Sequence, residues 1–131
     1  MKKLRLALLA LGAIAFIAFT SLQFNDLGQY GNGDAWSWIA LYSFTALLSA
    51  VLMWKRVPKI ICHFWAGFSW GSLFFRLQDD MGNFHFDRLH PSTFWNERGT
   101  EMVQQSNECG GLLILAIWAT ALIVCNRDEK K

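Results

Sequence analysis

Ser21-Leu22-Gln23-Phe24-Asn25-Asp26 is the stretch on which the reading of the fold turns. Before it, Leu6 to Phe19 is an almost unbroken apolar run, and after it come Gly28, Gly31, Gly33 and Asp34. An apolar run that ends in amides and an acid marks a helix leaving hydrocarbon and setting polar groups at the membrane edge. Counted from Leu4 to Phe24, the run makes about 31 Å of helix, enough to cross a bilayer. Lys2, Lys3 and Arg5 ahead of it would also suit a secretory signal peptide. Against that, Ala18-Phe19-Thr20 lacks the small-residue cleavage pattern and apolar character continues to Phe24. A retained helix is the expectation.

The rest of the chain repeats the pattern. Of 131 residues, 53% are apolar and only 17% charged, which is too apolar for an ordinary soluble domain of this length. The charges fall in short blocks between apolar runs, as in a polytopic membrane protein. Residues 36–54 form the second expected span, opened by Trp36 and Trp38 and closed by Trp54, where indoles favour the interface. Between it and the first span, Asn25 to Asp34 reads as a loop, with Gly31-Asn32-Gly33 as its turn and Asp34 as the next N-cap. Lys55 to Lys59 is a short basic connection whose Pro58 suits the start of a helix. Residues 60–77 make the third span and carry Gly67-x-x-x-Gly71, a spacing read here as close packing within the molecule. A long outer loop, about 78–105, precedes a fourth span over 106–125. Within that loop Thr100 and Glu101 read as a helix start.

Charge placement sets the orientation. Nine of the twelve Lys and Arg lie in the N-terminal flank, the Lys55–Lys59 connection and the tail after Cys125. Eight of the ten acids lie on the other side of a four-helix arrangement. The positive-inside rule then puts both termini in the cytoplasm and requires an even number of crossings. The expected fold is all-α: a single membrane domain over 1–131, a four-transmembrane-helix bundle with both ends cytoplasmic. Its expected place is a cell membrane, the inner membrane of a bacterium, crossed several times.

The net charge of +2 gives no footprint for nucleic acid. Cys62, Cys109 and Cys125 show no metal or redox spacing, and His85, Asp87 and His90 match no ligand motif, so no metal is expected. His63 stands alone among the spans, which excludes a bis-histidine haem, and no cofactor is expected. Polar residues do gather at the outer helix ends. Gln23, Asn25 and Asp26 come from the first span and Arg76 from the third. On the fourth, Glu101, Gln104, Gln105 and Glu108 recur on one helical face. A carboxylate at the depth of Glu108 is costly unless paired, protonated or facing water, and Arg76 is the one cation at that depth. Arg76 is therefore expected to reach Glu108 or Asp26. The cluster reads either as a structural network or as a binding or proton-handling site.

Phe19-Thr20-Ser21-Leu22-Gln23-Phe24-Asn25-Asp26, followed by Trp38-Ile39-Ala40-Leu41-Tyr42, resembles the opening of the transmembrane protein 220 family. Glu108-Cys109-Gly110-Gly111-Leu112 is similar to that family's fourth-helix element. Gln23, Asn25, Asp26, Trp38, Tyr42, Glu108, Gly111 and Leu112 carry over. Leu27-Gly28 stands where the family has Pro-Asp, and the first and third loops are longer. The resemblance implies the four-helix architecture and no reaction. The expected function is accordingly a binding or accessory module acting through the outer polar cluster, with the question of enzyme activity left open and leaning against it. Its expected partners are the lipid bilayer and a membrane protein or a second copy. The alternatives are a membrane enzyme or redox component acting on a lipid or quinone, and a proton- or ion-coupled element.

Overall fold

The structure is a computed structural model that describes residues 2–30, 34–100 and 103–127, without the side chains of 26–30. Among these residues the chain is all-α. It has α1 (Lys2–Tyr30), α2 (Ala35–Trp54), α3 (Lys59–Leu77) and α4 (Gln104–Cys125). Two short 3₁₀ turns, Phe86–Leu89 and Pro91–Thr93, punctuate the long loop, and Gln78 pairs with Phe84 in an isolated antiparallel bridge. Three of the helices are long and apolar enough to cross a membrane: α1 over Lys2–Asn25, α2 and α4. α3 matches them in length, but its Lys59, His63 and Arg76, and its glycines, serines and tryptophans, lower its hydropathy.

The chain divides into two compact units, Met1–Cys62 with Ala121–Lys131, and His63–Thr120. In the first, α1 and α2 pack as an antiparallel pair. The ring of Tyr42 lies 5.8 Å from Phe16 and 5.6 Å from Phe19, and Phe24 meets Trp36 edge-on at 6.2 Å. Leu9, Ala13 and Phe16 of α1 are buried at helical spacing, as are Ala35, Ile39, Tyr42, Ala46 and Ser49 of α2. The remaining faces expose Leu4, Leu11, Ile14, Ile17 and Leu47, which suits contact with acyl chains. At the basic end of this unit Arg5 Nε donates to the Cys125 carbonyl at 2.8 Å. The same guanidinium donates to the Leu52 carbonyl, and Arg56 also donates to that of Cys125. Asn126 completes the end with two bonds to Val57, donating to its carbonyl at 2.9 Å and accepting from its N–H at 3.2 Å.

In the second unit α3 and α4 are linked by Trp70 Nε1, which donates to Thr120 Oγ1 at 2.9 Å. Trp65, Ala66, Ser69, Leu73 and Leu77 are buried along one stripe of α3, and Cys109, Leu112, Leu115, Ala116 and Ala119 along one stripe of α4. Hydroxyls in all four helices donate to the carbonyl one turn back: Thr20 to Phe16, Thr45 to Leu41, Ser69 to Trp65 and Thr120 to Ala116. That bond lets a hydroxyl enter hydrocarbon without an orphaned donor.

Four sequence expectations change. Residues 25–30, read as loop, continue α1 to Tyr30, because Leu27, Gln29 and Tyr30 carry no breaker and a single glycine is tolerated in a formed helix. The Gly31-Asn32-Gly33 turn lies outside the described residues. Asp34 stands at the N-cap of α2 and offers its carbonyl to Ser37 and Trp38, but its side chain makes no capping bond. Thr100 does not start α4, which begins at Gln104. Its hydroxyl and N–H are engaged by Asn96 in a turn that Gly99 closes at φ +65°. Lastly, Gly67 and Gly71 are exposed, and a Cβ built on either would meet nothing within 4 Å, so they do not mediate packing among the described residues.

Gly67→Ala and Gly71→Ala are therefore expected to leave thermal stability in detergent unchanged or to raise it by up to about 1 kcal/mol each, through helix propensity. A loss of stability in the monomer would show that some element packs against this face.

Candidate polar site at the α3–α4 end

Arg76 lies in the last turn of α3 and Glu108 in the second turn of α4. The guanidinium grips Glu108 Oε2 through both Nε and Nη2, a side-on contact that fixes direction as well as charge. Glu108 is 8% exposed and Arg76 43%, so the carboxylate is the buried partner. Its other oxygen, Oε1, accepts from Gln104 Nε2 at 3.1 Å, one turn earlier on α4. Both oxygens are thus engaged by side chains of this chain. The backbone carbonyl of Arg76 accepts from Arg88 Nη1 at 2.9 Å, and the Cys109 thiol stands 3.8 Å from it. Arg88 is the cation that satisfies the C-terminus of α3, where orphan carbonyls and the negative dipole end coincide.

The expected pair of Arg76 with Glu108 is present. Of the other predicted residues, Gln105 is exposed on α4. Gln23 is part-exposed and Asn25 exposed, both in the last turns of α1 in the first unit. Asp26 belongs to α1 by its backbone, its side chain lying outside the described residues, as does the whole of Glu101. Arg88 and Cys109 join the pair without having been singled out for that place, and Gln104, read on the same face as Glu108, joins it too. Gln104 was legible, being one turn before Glu108. Arg88 was not, since a contact across twelve residues of loop leaves no local signal.

The loop beyond the pair is organised around Asp79. Its Oδ1 accepts from the N–H groups of Met81 and Asn83, both at 2.9 Å, and its Oδ2 lies 2.9 Å from His85 Nε2. Gly82, at φ +83°, makes the turn that brings those amides round. The His85 ring, and after it the Asn83 N–H, hold the Asp79 carboxyl well below the usual carboxylate range. Aromatic rings then cover the loop. Phe84 and Phe86 stack at 5.6 Å, Phe74 meets Phe84 edge-on, and Phe94 lies where a Cβ on Gly110 would come within 3.3 Å of it.

Two outcomes follow from this geometry. In a double-mutant cycle, Arg76→Met and Glu108→Gln should each cost about 1–3 kcal/mol in detergent, discounted from a fully buried pair because Arg76 is part-exposed. The double variant should cost less than the two together, whereas additive losses would deny the coupling. Because the folded Asp79 carboxyl titrates lower than the unfolded one, its contribution to loop order is present above the ordinary carboxylate range. It is lost only as pH falls below that range. Amide exchange of Met81 and Asn83 followed against pH reads this directly, and Asp79→Asn should abolish the dependence.

A family model described as Transmembrane family 220, helix, matches residues 15–124. Neither a curated protein nor a solved structure matches the chain. With most of its length covered by that model and three helices able to cross a bilayer, the chain is a membrane protein that belongs to transmembrane family 220.

Proposed function

We propose that this protein is a small four-pass accessory or binding module, with both termini in the cytoplasm, and that it works by presenting an ordered outer loop to a membrane partner or a second copy. The observation that carries this reading is the filled state of Glu108. Arg76 occupies one carboxylate oxygen and Gln104 the other. Held by a guanidinium on one oxygen and an amide on the other, the carboxylate ties α3 to α4, which supports a structural reading of this group. The loop that the pair helps to anchor exposes the large apolar side chains of Met81, Phe84, Phe86 and Trp95 beside an ordered turn, which supports a partner-binding reading. Against a bacterial inner membrane, the basic end bearing Lys2, Lys3, Arg5, Lys55 and Arg56 faces inward by the positive-inside rule.

The four-pass reading has its own support. Arg5, at the start of α1, bonds the carbonyl at the end of α4, which supports termini on one side and an even number of crossings. Three helices qualify by composition, and the length of α3, 19 residues, supports it as the fourth. Its exposed Ile60, Phe64, Phe68 and Phe75 suit lipid, and its tryptophans, which lower hydropathy, are taken up within the unit, Trp65 buried and Trp70 bonded to Thr120.

Single cysteines at positions 55 and 130, in a background without the native three, should react with an impermeant thiol reagent only from the cytoplasm, and one at position 86 only from outside. Reaction of position 130 from outside would end the four-pass reading. A photo-crosslinker at position 86 in native membranes should yield a discrete protein adduct, whereas adducts to lipid alone, or a stoichiometric quinone in the purified protein, would favour the redox alternative.

A further inference from the structure

Arg5 and Arg56 converge on one atom. Both guanidiniums donate to the Cys125 carbonyl, and Arg5 donates to that of Leu52 as well. Two donors on one oxygen stand no more than about 6 Å apart. Like charges at that distance repel, and their local compensation is small. The C-termini of α2 and α4 offer roughly half a negative charge each, against two full positive ones. Among the described residues no carboxylate pairs with either arginine. Asp26 and Asp34, the acids of the α1 and α2 segments, belong to the opposite ends of those helices.

Unused donors remain. A guanidinium carries five N–H groups, and Arg56, which is exposed, uses one nitrogen while Arg5 uses two. Lys55 is exposed beside Arg56, and Trp54, 80% exposed, closes α2 with an indole suited to the headgroup layer.

We propose that Arg5 and Arg56, assisted by Lys55, bind the phosphate of an anionic phospholipid headgroup at the turn between α2 and α3. The chemistry required is a phosphate oxygen meeting two cationic forks, for which the guanidinium is the best-matched side chain. A lipid is the better source than free phosphate because Arg5 stands one residue ahead of the apolar run from Leu6, at the depth of the headgroups. The proposal is independent of the outer loop and of any partner that binds there.

The test uses the full chain in nanodiscs of phosphatidylcholine with or without phosphatidylglycerol. Retained lipid is counted by native mass spectrometry and stability is followed by thermal melting. The expected result is selective retention of about one phosphatidylglycerol per chain with a saturable rise in Tm, weakened by salt. Arg56→Gln should weaken retention about fivefold. Lys55→Gln, whose side chain bonds no described residue, should weaken it in the same direction with Tm in phosphatidylcholine unchanged, so that loss of lipid is separable from loss of fold. Equal retention of the two lipids, or retention unmoved by both substitutions, would overturn the proposal. So would a full Tm rise with inorganic phosphate in detergent, which would make free phosphate the ligand. The double variant Asp128→Asn, Glu129→Gln is expected to bind as the parent does, and binding that appears only in this variant would assign the site to the chain's own tail.

Discussion

Hydrocarbon offers no hydrogen-bond partner, so every backbone polar group in a membrane helix must be satisfied by the chain itself. Within a helix the ladder does this, and the unsolved places are the ends, where the last carbonyls have no donor. In this protein arginines supply donors at three of those ends. Arg5 serves Leu52 at the end of α2, Arg5 and Arg56 serve Cys125 at the end of α4, and Arg88 serves Arg76 at the end of α3. Each puts a positive charge against the negative pole of a helix dipole while closing an orphan carbonyl. Lysine would supply the charge without the fork that lets Arg5 reach two helices at once.

Arg76 shows how such a device also links elements. Its carbonyl receives Arg88 from the loop while its side chain holds Glu108 on α4, so one residue joins the end of α3 to both. The arrangement resolves two costs together. Glu108, almost fully buried, obtains the cation it requires, and the α3 terminus obtains its donor. Gln104 engages the remaining carboxylate oxygen, which leaves the site closed by its own side chains.

Much of this was readable in the residues, and the limits have physical causes. Apolar runs and charge blocks locate helices because the bilayer demands both, and the Arg76–Glu108 pair followed from a buried carboxylate with one cation at its depth. The end of α1 was misread because polar residues mark the edge of hydrocarbon and not the end of a helix, which continues to Tyr30. The start of α4 was misread because Thr100 and Asn96 satisfy one another in a turn, as small polar side chains do when a loop offers them the choice. Gly67 and Gly71 had the spacing of a packing face, but spacing alone does not say whether a neighbour arrives. Arg88 and Asn126 act across the fold, and no local pattern announces such partners.

The extent of the family match separates two parts of this architecture. It runs from residue 15 to residue 124 and so contains Arg76, Gln104 and Glu108, together with Gln23, Asn25, Trp38 and Tyr42. It begins after Arg5 and stops before Cys125 and Asn126. The α3–α4 ion pair therefore lies within the stretch that defines membership. The arginine cap at the basic end depends on residues beyond it at both termini. A closed polar network inside the family stretch and an electropositive cap that reaches beyond it at both termini answer different demands. The first satisfies a buried charge between two helices, and the second sets positive charge against the C-terminal ends of two helices.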